Sequence, residues 1–180
     1  MGLRNRTSLT DYNCFFVTTT CFNWEILFLS YKYYQLILNS IVFLNKKYNV
    51  QIIGYVIMPN HIHLIIYFEK ETHLSEYMRD FKKFTSGEIR RMIERDGEVK
   101  LLDRLRFENR EQKFKIWMDR FDDLYIYKRE TFETKLNYLH QNPVRKGIVN
   151  YAKDYEYSSA EFYYSGKEGL IPVLHYYELF

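Results

Sequence analysis

Two histidines, His61 and His63, lie two residues apart inside the apolar run GYVIMPNHIHLIIYF. This run is typical of a buried β-strand, in which successive side chains point to opposite faces. Both imidazoles therefore lie on one face, about 7 Å apart, while Ile62 between them points to the other face. Imidazole is the commonest protein ligand of borderline divalent metals, so the pair is a candidate metal site.

The same pair has a simpler interpretation as part of an ordinary sheet surface. For an isolated His-x-His pair, hydrogen-bonded or half-exposed histidines are the commoner explanation. Here the pair directly follows the turn signal Met58-Pro59-Asn60. The chain later supplies a candidate nucleophile and a candidate third ligand, and this combination favours a functional site.

A tyrosine and an asparagine, Tyr138 and Asn142, lie four residues apart near the end of the last predicted helix, which stacks them on one face. If this helix lies across the histidine-bearing face of the sheet, Tyr138 comes near the histidines and Asn142 can supply an oxygen ligand. Gln141, three residues beyond Tyr138, is the competing ligand. Taken alone, Tyr138 is one of 18 tyrosines, and Asn142-Pro143 is also an ordinary helix stop.

The elements that position these residues follow the order β-α-β-β-α-β-α. Strands are predicted at 12–22, 51–58, 61–68 and 123–127, and helices at 29–47, 72–94 and 130–141, the last closed by Pro143. A β-α-β-β-α-β chain forms an antiparallel ferredoxin-like or RRM-like sheet with two helices on one face. The predicted fold class is therefore α+β, with the histidines on the other face and a C-terminal helix that carries the tyrosine.

Length and composition indicate one domain over residues 1–180, with a core of ordinary size. The 47% hydrophobic and 27% charged residues are typical of a soluble globular protein, and no apolar stretch reaches the length of a membrane span. The polar N-terminal sequence contains no apolar signal segment, so we expect a cytoplasmic protein that does not contact a membrane. Cys14 and Cys21 are separated by an odd number of positions, which predicts that they remain unpaired.

Charge and aromatic residues are unevenly distributed. Residues 79–120 contain 13 Lys and Arg against 9 Asp and Glu, a stretch that is more often a solvated helix face than a nucleic-acid site. The 18 tyrosines and 14 phenylalanines offer flat faces on which unpaired bases could stack. The charged residues at about 95–115 predict a flexible insertion, and the aromatic residues 151–180 predict a packing extension.

Three motifs of the chain resemble one known family. They are MPNHIHLII within residues 54–66, YLHQNPVRKGIV at 138–149 and YSSA at 157–160. The segments FFVTTTCF and WMDRFDDLYIY fit the same order along the chain. Together they resemble the single-tyrosine HUH transposases, and among these the REP-associated tyrosine transposases, over most of the length.

The resemblance implies a role for each matching residue. The family's paired histidines bind Mg²⁺ or Mn²⁺, which implies this role for His61 and His63. A tyrosine on the last helix attacks DNA, which implies that Tyr138 is the nucleophile. An Asn or Gln one turn later completes the metal site, and Asn142 holds that position here.

The proposed chemistry accounts for these residue types. A phenol has a pKa near 10 and phosphodiester attack adds negative charge, so a divalent ion is needed to neutralise the phosphate. A tyrosine nucleophile leaves a 5′-phosphotyrosine and a free 3′-OH, so the strand can be rejoined. The expected partner is single-stranded or hairpin DNA, with phosphates met by Lys82, Lys83 and Arg145. Each of these three is, taken singly, more often an ordinary surface charge.

Three other functions share parts of this pattern. A related HUH nickase would make the same cut in a different biological setting, although the compact chain offers no added domain. A non-cutting DNA-binding regulator would keep the fold without using Tyr138. A metal-dependent phosphoesterase would use water as its nucleophile and form no protein adduct. The sequence leaves open whether the protein is a monomer or a homodimer.

Overall fold

The structure is a computed structural model that describes residues 13–69, 73–107 and 113–178. Its strands are β1 Cys14–Thr20, β2 Val50–Met58, β3 His61–Phe68 and β4 Asp122–Tyr125. Its α-helices are α1 Tyr31–Tyr48, α2 Leu74–Arg95, α3 Val99–Arg104, α4 Arg129–Arg145 and α5 Ala160–Ser165. The ends of the predicted elements at residues 12 and 72 lie outside the described residues.

The four strands form one antiparallel sheet in the order β2-β3-β1-β4. β2 and β3 make the predicted hairpin, with Pro59 and Asn60 in the turn between them. β1 pairs on its two sides with β3 and β4, as the ferredoxin-like connection requires. The predicted fold class, α+β with a ferredoxin-like sheet, is confirmed.

The alternation of side chains along the strands divides the core into two layers. α1 and α2 pack on the face that holds Val17, Ile62, Leu64 and Ile66. α4 packs on the opposite face, against a second apolar cluster that includes Phe16, Ile53, Ile65, Phe132 and Leu139. Because His61 and His63 alternate with Ile62 and Leu64 along β3, both histidines lie on the α4 face.

α4 lies close against the sheet because β2 carries a glycine where the helix crosses it. A β-carbon at Gly54 would come within 2.7 Å of Leu136 Cδ1. The absence of a side chain at this position leaves room for the apolar stripe of α4. Tyr138, on the neighbouring face of α4, is thereby held above the end of β3 that carries the histidines.

The predicted end of α4 at Pro143 is wrong, because the helix continues through this proline to Arg145. Proline removes one N–H donor from a helix, yet the next turn is retained because the Lys146 N–H donates to the Asn142 carbonyl at 3.1 Å. The chain leaves the helix before Gly147, whose φ of 67° is the left-handed conformation typical of a helix end. Asn142 therefore keeps helical geometry.

The charged stretch 95–115, predicted to be a flexible insertion, contains a short helix. α3 forms within it, and Leu101 and Leu105 are buried against the larger core cluster. A six-residue helix is too short to produce a clear apolar period, which explains the omission. Residues 108–112 of this stretch lie outside the described residues.

The described part of the C-terminal extension, 151–178, packs along β2 and α4. The Ile57 N–H donates to the Tyr157 carbonyl at 2.9 Å, so this segment extends the hydrogen bonding of the sheet edge. His140 on α4 shares a 2.8 Å hydrogen bond with the Ser159 hydroxyl. The YSSA motif thus links the last long helix to the edge strand.

Two smaller expectations concern cysteines and membranes. Cys14 and Cys21 are buried free thiols, as predicted, and burial raises the pKa of Cys14 to about 12. Among the helices in the described parts of the chain, none is both long and apolar enough to cross a membrane.

Candidate active site

The two histidines of β3 form a compact pair beneath α4. Their ring centroids are 4.8 Å apart and the rings are nearly perpendicular, at 74°. His61 is 6% exposed and His63 is 4% exposed. A strand holds both side chains on the same face, so the pair is arranged before any ligand binds.

Each histidine is oriented by a hydrogen bond to its Nδ1 atom. Asn60 Oδ1 lies 2.7 Å from Nδ1 of His61, and Thr18 Oγ1 lies 2.8 Å from Nδ1 of His63. When Nδ1 carries the proton, it donates to these oxygens and Nε2 keeps its lone pair. Nε2 of His63 is buried and has no hydrogen-bond partner within the described residues. This atom is therefore a candidate metal ligand.

Burial lowers the pKa of both histidines. The pKa of His63 falls to about 3, first through burial and then through His61 and nearby cations. The pKa of His61 falls to about 4 through burial and the charge of Lys146, while an interaction with the Asn142 side chain raises it. Both imidazoles are consequently neutral at pH 7, the state in which they can bind a metal.

Tyr138 lies on α4 directly beside the histidine pair. Its ring centroid is 5.3 Å from that of His63, in an edge-to-face arrangement, and the side chain is 39% exposed. The Arg145 guanidinium lies 4.4 Å from the ring centroid, and its Nη2 donates to the Tyr138 carbonyl at 2.8 Å. Lys135 Nζ lies 5.6 Å from the same ring. The phenol thus meets solvent beside two cations and an imidazole.

Asn142 lies one turn beyond Tyr138 and is 5% exposed. Its side chain interacts with His61, and its Nδ2 atom has no hydrogen-bond partner among the residues described. Gln141, the alternative ligand, is only half-buried. Within the described ranges, no three of His, Cys, Asp and Glu are grouped as a metal site would need. The Asn142 amide beside His61 is a polar group that could supply a further ligand to the pair.

The three basic residues predicted to bind DNA lie in different places. Arg145 is at the site, stacked on Tyr138. Lys82 and Lys83 are on α2, which packs on the opposite face of the sheet. The Lys82 ammonium donates to the carbonyls of Met118 and Asp119, and burial lowers its pKa to about 8.

Three residues beside the histidines were not predicted from the sequence. Thr18 contacts His63 across the β1–β3 ladder, and no local pattern could reveal that register. Asn60 was interpreted only as a turn residue, although its position next to His61 was a usable signal. The ring centroid of Trp24 lies 6.2 Å from that of His61. Only the tertiary structure shows this contact, because the two residues are far apart in sequence.

The metal-free protein is expected to lose stability as the pH falls from 6.5 towards 4. In this window the unfolded chain protonates its histidines while His61 and His63 stay neutral in the fold, so acid favours unfolding. Each buried histidine contributes on the order of 1.4 kcal/mol per pH unit. Urea unfolding with chelator at pH 7, 6 and 5 measures the slope. The H61Q/H63Q variant should have a shallower slope, and equal slopes would contradict the expectation.

These features define a class of α+β domain in which a helix-borne tyrosine faces a pair of histidines on a ferredoxin-like sheet. The sequence model for IS200-like transposases matches residues 12–142. The chain belongs to this family, and the family assignment based on its motifs is confirmed. No curated protein matches the chain in sequence.

One solved structure has a clearly similar fold. A REP-associated tyrosine transposase bound to a REP hairpin is 20% identical, with a TM-score of 0.67 over 97% of this chain and 92% of that one. A second structure, from Deinococcus radiodurans R1 and described as a candidate transposase, is 9% identical with a TM-score of 0.47. It covers 74% of this chain and 94% of that one.

Proposed function

We propose that this protein is a metal-dependent endonuclease and strand transferase for single-stranded DNA. It would act through a covalent 5′-phosphotyrosine intermediate on Tyr138. The observation that carries the proposal is the position of Tyr138, 5.3 Å from His63 between ring centroids, with Asn142 one turn later beside His61. The nucleophile and the metal ligands would thus come from one chain.

The residues present fit a divalent ion, Mg²⁺ or Mn²⁺. His61, His63 and Asn142 would hold it, since both imidazoles are neutral at pH 7 and Nε2 of His63 is buried without a hydrogen-bond partner in the part of the chain that is described. When bound, such an ion would polarise the scissile phosphate and neutralise charge that develops during attack. Asn60 and Thr18 would fix the orientation of the two rings.

In the proposed step the Tyr138 oxygen forms a bond to phosphorus and the bond to the 3′ oxygen breaks. The phenol gives up its proton and the departing 3′ oxygen gains one, so the step is balanced without water. Arg145 is the residue best placed to pair with phosphate, because its guanidinium lies over the Tyr138 ring. The phosphotyrosine then exchanges with another 3′-OH, which rejoins a strand.

The substrate class follows from chemistry and from the structural likeness. A duplex does not readily present its backbone to a tyrosine that lies beside buried histidines at the edge between α4 and the sheet, so a single strand is expected. A protein of similar fold was solved bound to a REP hairpin, which supports hairpin-bearing DNA as the partner. Lys82 and Lys83 could contact only DNA that extends away from the site, because α2 packs on the opposite face of the sheet.

We also infer that the chain works as one domain. Residues of 151–178 complete the apolar cluster beneath α4, with Tyr155, Leu174 and Tyr176 packed there. α3 joins the larger cluster through Leu101 and Leu105. Since both added segments contribute to the core, neither forms a separate unit, and the site as proposed needs no second copy of the chain.

The decisive experiment detects the covalent intermediate. The full chain is incubated with Mg²⁺ or Mn²⁺ and single-stranded DNA that carries a hairpin and a 3′ label, and the products are separated under denaturing conditions. We expect a metal-dependent adduct of protein and DNA, whose phosphorylated peptide contains Tyr138 by mass spectrometry. Cleavage without any adduct would contradict the proposal.

The third metal ligand can be tested by a matched pair of substitutions. Asn142→Ala should weaken Mn²⁺ binding by about tenfold or more, because this side chain is buried beside His61. Gln141→Ala should leave the affinity within about twofold, because its side chain is only half-buried. Titration calorimetry measures both. The opposite ranking would transfer the ligand role to Gln141.

A further inference from the structure

A tryptophan beside the site combines an exposed side chain with a strained backbone. Trp24 is 60% exposed and has a φ of 58°, and Asn23 before it has a φ of 52°. Non-glycine residues rarely adopt this left-handed conformation, and a bulky side chain makes it an outlier. Such strain persists where the surrounding structure enforces it, and it is concentrated at functional sites.

Hydrogen bonds from the β2–β3 turn hold Trp24 in place. Asn60 Nδ2 donates to the Trp24 carbonyl at 3.2 Å, and Asn60 Oδ1 lies 2.7 Å from Nδ1 of His61. One amide therefore connects the tryptophan backbone to a candidate metal ligand. The Cys21 N–H donates to the Asn60 carbonyl at 2.9 Å, and the Leu27 N–H donates to the Pro59 carbonyl at 3.0 Å. The segment is thus fixed on both sides of Trp24.

Packing does not explain this position. Trp24 belongs to neither apolar cluster of the core. Its aromatic contact within the described residues is with His61, at 6.2 Å between centroids and 66° between planes. A large aromatic side chain gains most from burial, so an exposed ring at the edge of a site indicates a surface that a ligand covers.

We propose that Trp24 is a stacking platform for one unpaired base of the DNA strand that crosses the site. This inference rests on the proposed function, since it supplies a subsite for the same substrate. Trp24 adjoins His61 and Tyr138 adjoins His63, so the two aromatic residues flank the histidine pair from opposite ends. A phosphate held at the histidines would have its neighbouring base at the indole.

A nucleobase is the ligand class that this arrangement favours. An indole face stacks on any base, and it requires no hydrogen-bonding partner on the protein. The nearest charged neighbour in sequence, Glu25, is already paired with Arg104 at 2.9 Å, so it does not repel the strand as a free carboxylate would. Ile26 and Leu29 in the same segment are also exposed, at 51% and 75%, but they have no aromatic face.

The test compares Trp24→Leu with Trp24→Phe, and uses Ile26→Ala as the matched control. Binding of a fluorescent single-stranded oligonucleotide is measured by anisotropy with chelator present, so that no cleavage is needed. Trp24→Leu should weaken binding roughly 5- to 150-fold, the range for one lost base stack. Trp24→Phe should retain most of the affinity, and Ile26→Ala should bind as the wild type does.

Intrinsic fluorescence gives a second readout. The chain has two tryptophans, and Trp117 is buried at 3% exposure. Single-stranded DNA should quench the wild-type emission through Trp24 and leave the emission of Trp24→Phe unchanged. A duplex of the same sequence should cause no Trp24-dependent quenching.

The inference would be overturned if Trp24→Leu bound like the wild type, or if Ile26→Ala lost as much affinity as Trp24→Leu. Equal losses in Trp24→Leu and Trp24→Phe would also overturn it, since a phenyl ring can still stack. These results are separable from the proposed function. A wild-type chain that binds through Trp24 but never forms an adduct would refute the cleavage proposal alone, whereas adduct formation on Tyr138 with unaltered binding by Trp24→Leu would refute the stacking proposal alone.

Discussion

Replacement of Tyr138 by phenylalanine is expected to abolish the covalent adduct and to slow strand cleavage by on the order of 10³ or more. Phenylalanine keeps the ring that contacts His63 and lies under Arg145, and it removes only the attacking oxygen. Binding of metal and of single-stranded DNA should therefore stay close to wild type. Single-turnover cleavage and a denaturing gel measure the loss, and anisotropy measures the binding.

Tyr127→Phe is the matched control for this substitution. Tyr127 is 55% exposed and lies just before α4. Its replacement removes a comparable hydroxyl at a position outside the histidine pair. It should form adducts at the wild-type rate. If Tyr138→Phe cleaves at the wild-type rate, a phosphoesterase that uses water becomes the better account. An adduct mapped to Tyr125 or Tyr127 would keep the class of enzyme and refute the assignment.

A wild-type chain that binds hairpin DNA but forms no adduct on any hairpin would indicate a non-cutting regulator. That result would leave the family and the fold unchanged, because both rest on the matched residues 12–142 and on the sheet order. Cleavage with an adduct but without rejoining of the strand would indicate a nickase of related mechanism. A second oligonucleotide with a free 3′-OH distinguishes the strand transferase, which joins it to the cut strand, from a nickase, which does not.

His61→Ala and His63→Ala should each abolish metal-dependent cleavage and weaken Mn²⁺ binding by more than about 100-fold. This magnitude exceeds the 10–100-fold loss that removal of a hydrogen-bond partner of a ligand typically causes. The fold should survive, because Ile62, Leu64 and Ile66 still supply the apolar face of β3. Titration calorimetry measures affinity, and circular dichroism checks the fold.

Two further variants make this result specific. Thr18→Val removes the hydroxyl that lies 2.8 Å from Nδ1 of His63 and keeps the side-chain volume nearly constant. It should weaken Mn²⁺ binding by about 10- to 100-fold. His175→Ala removes a histidine that stacks on Tyr176 and Tyr177 elsewhere in the chain, and it should leave the affinity unchanged. Unaltered divalent-ion affinity in both His61→Ala and His63→Ala would remove the histidine pair from the proposed mechanism.

Much of the fold could be predicted from local pattern. The alternation through HIHLII placed both histidines on one face of β3, and the four-residue spacing placed Tyr138 and Asn142 on one side of α4. These inferences hold because strand and helix periods are properties of the backbone. The same local rules failed at Pro143, where the following turn of α4 remains hydrogen-bonded, and at α3, which is too short to have a period.

By itself, the sequence determined the class of fold and the residue types of the candidate site. Only the tertiary structure decided which segments meet there. Arg145 and Lys82 are both basic residues that the sequence predicts to contact DNA phosphates. In the structure Arg145 stacks on Tyr138, whereas Lys82 lies on α2, on the opposite face of the sheet. Thr18 and Trp24 reach the histidines through strand register and a strained turn. The physical reason is that periodicity fixes only the direction in which a side chain leaves its own element, whereas distances between elements depend on how long-range packing and strand pairing bring them together.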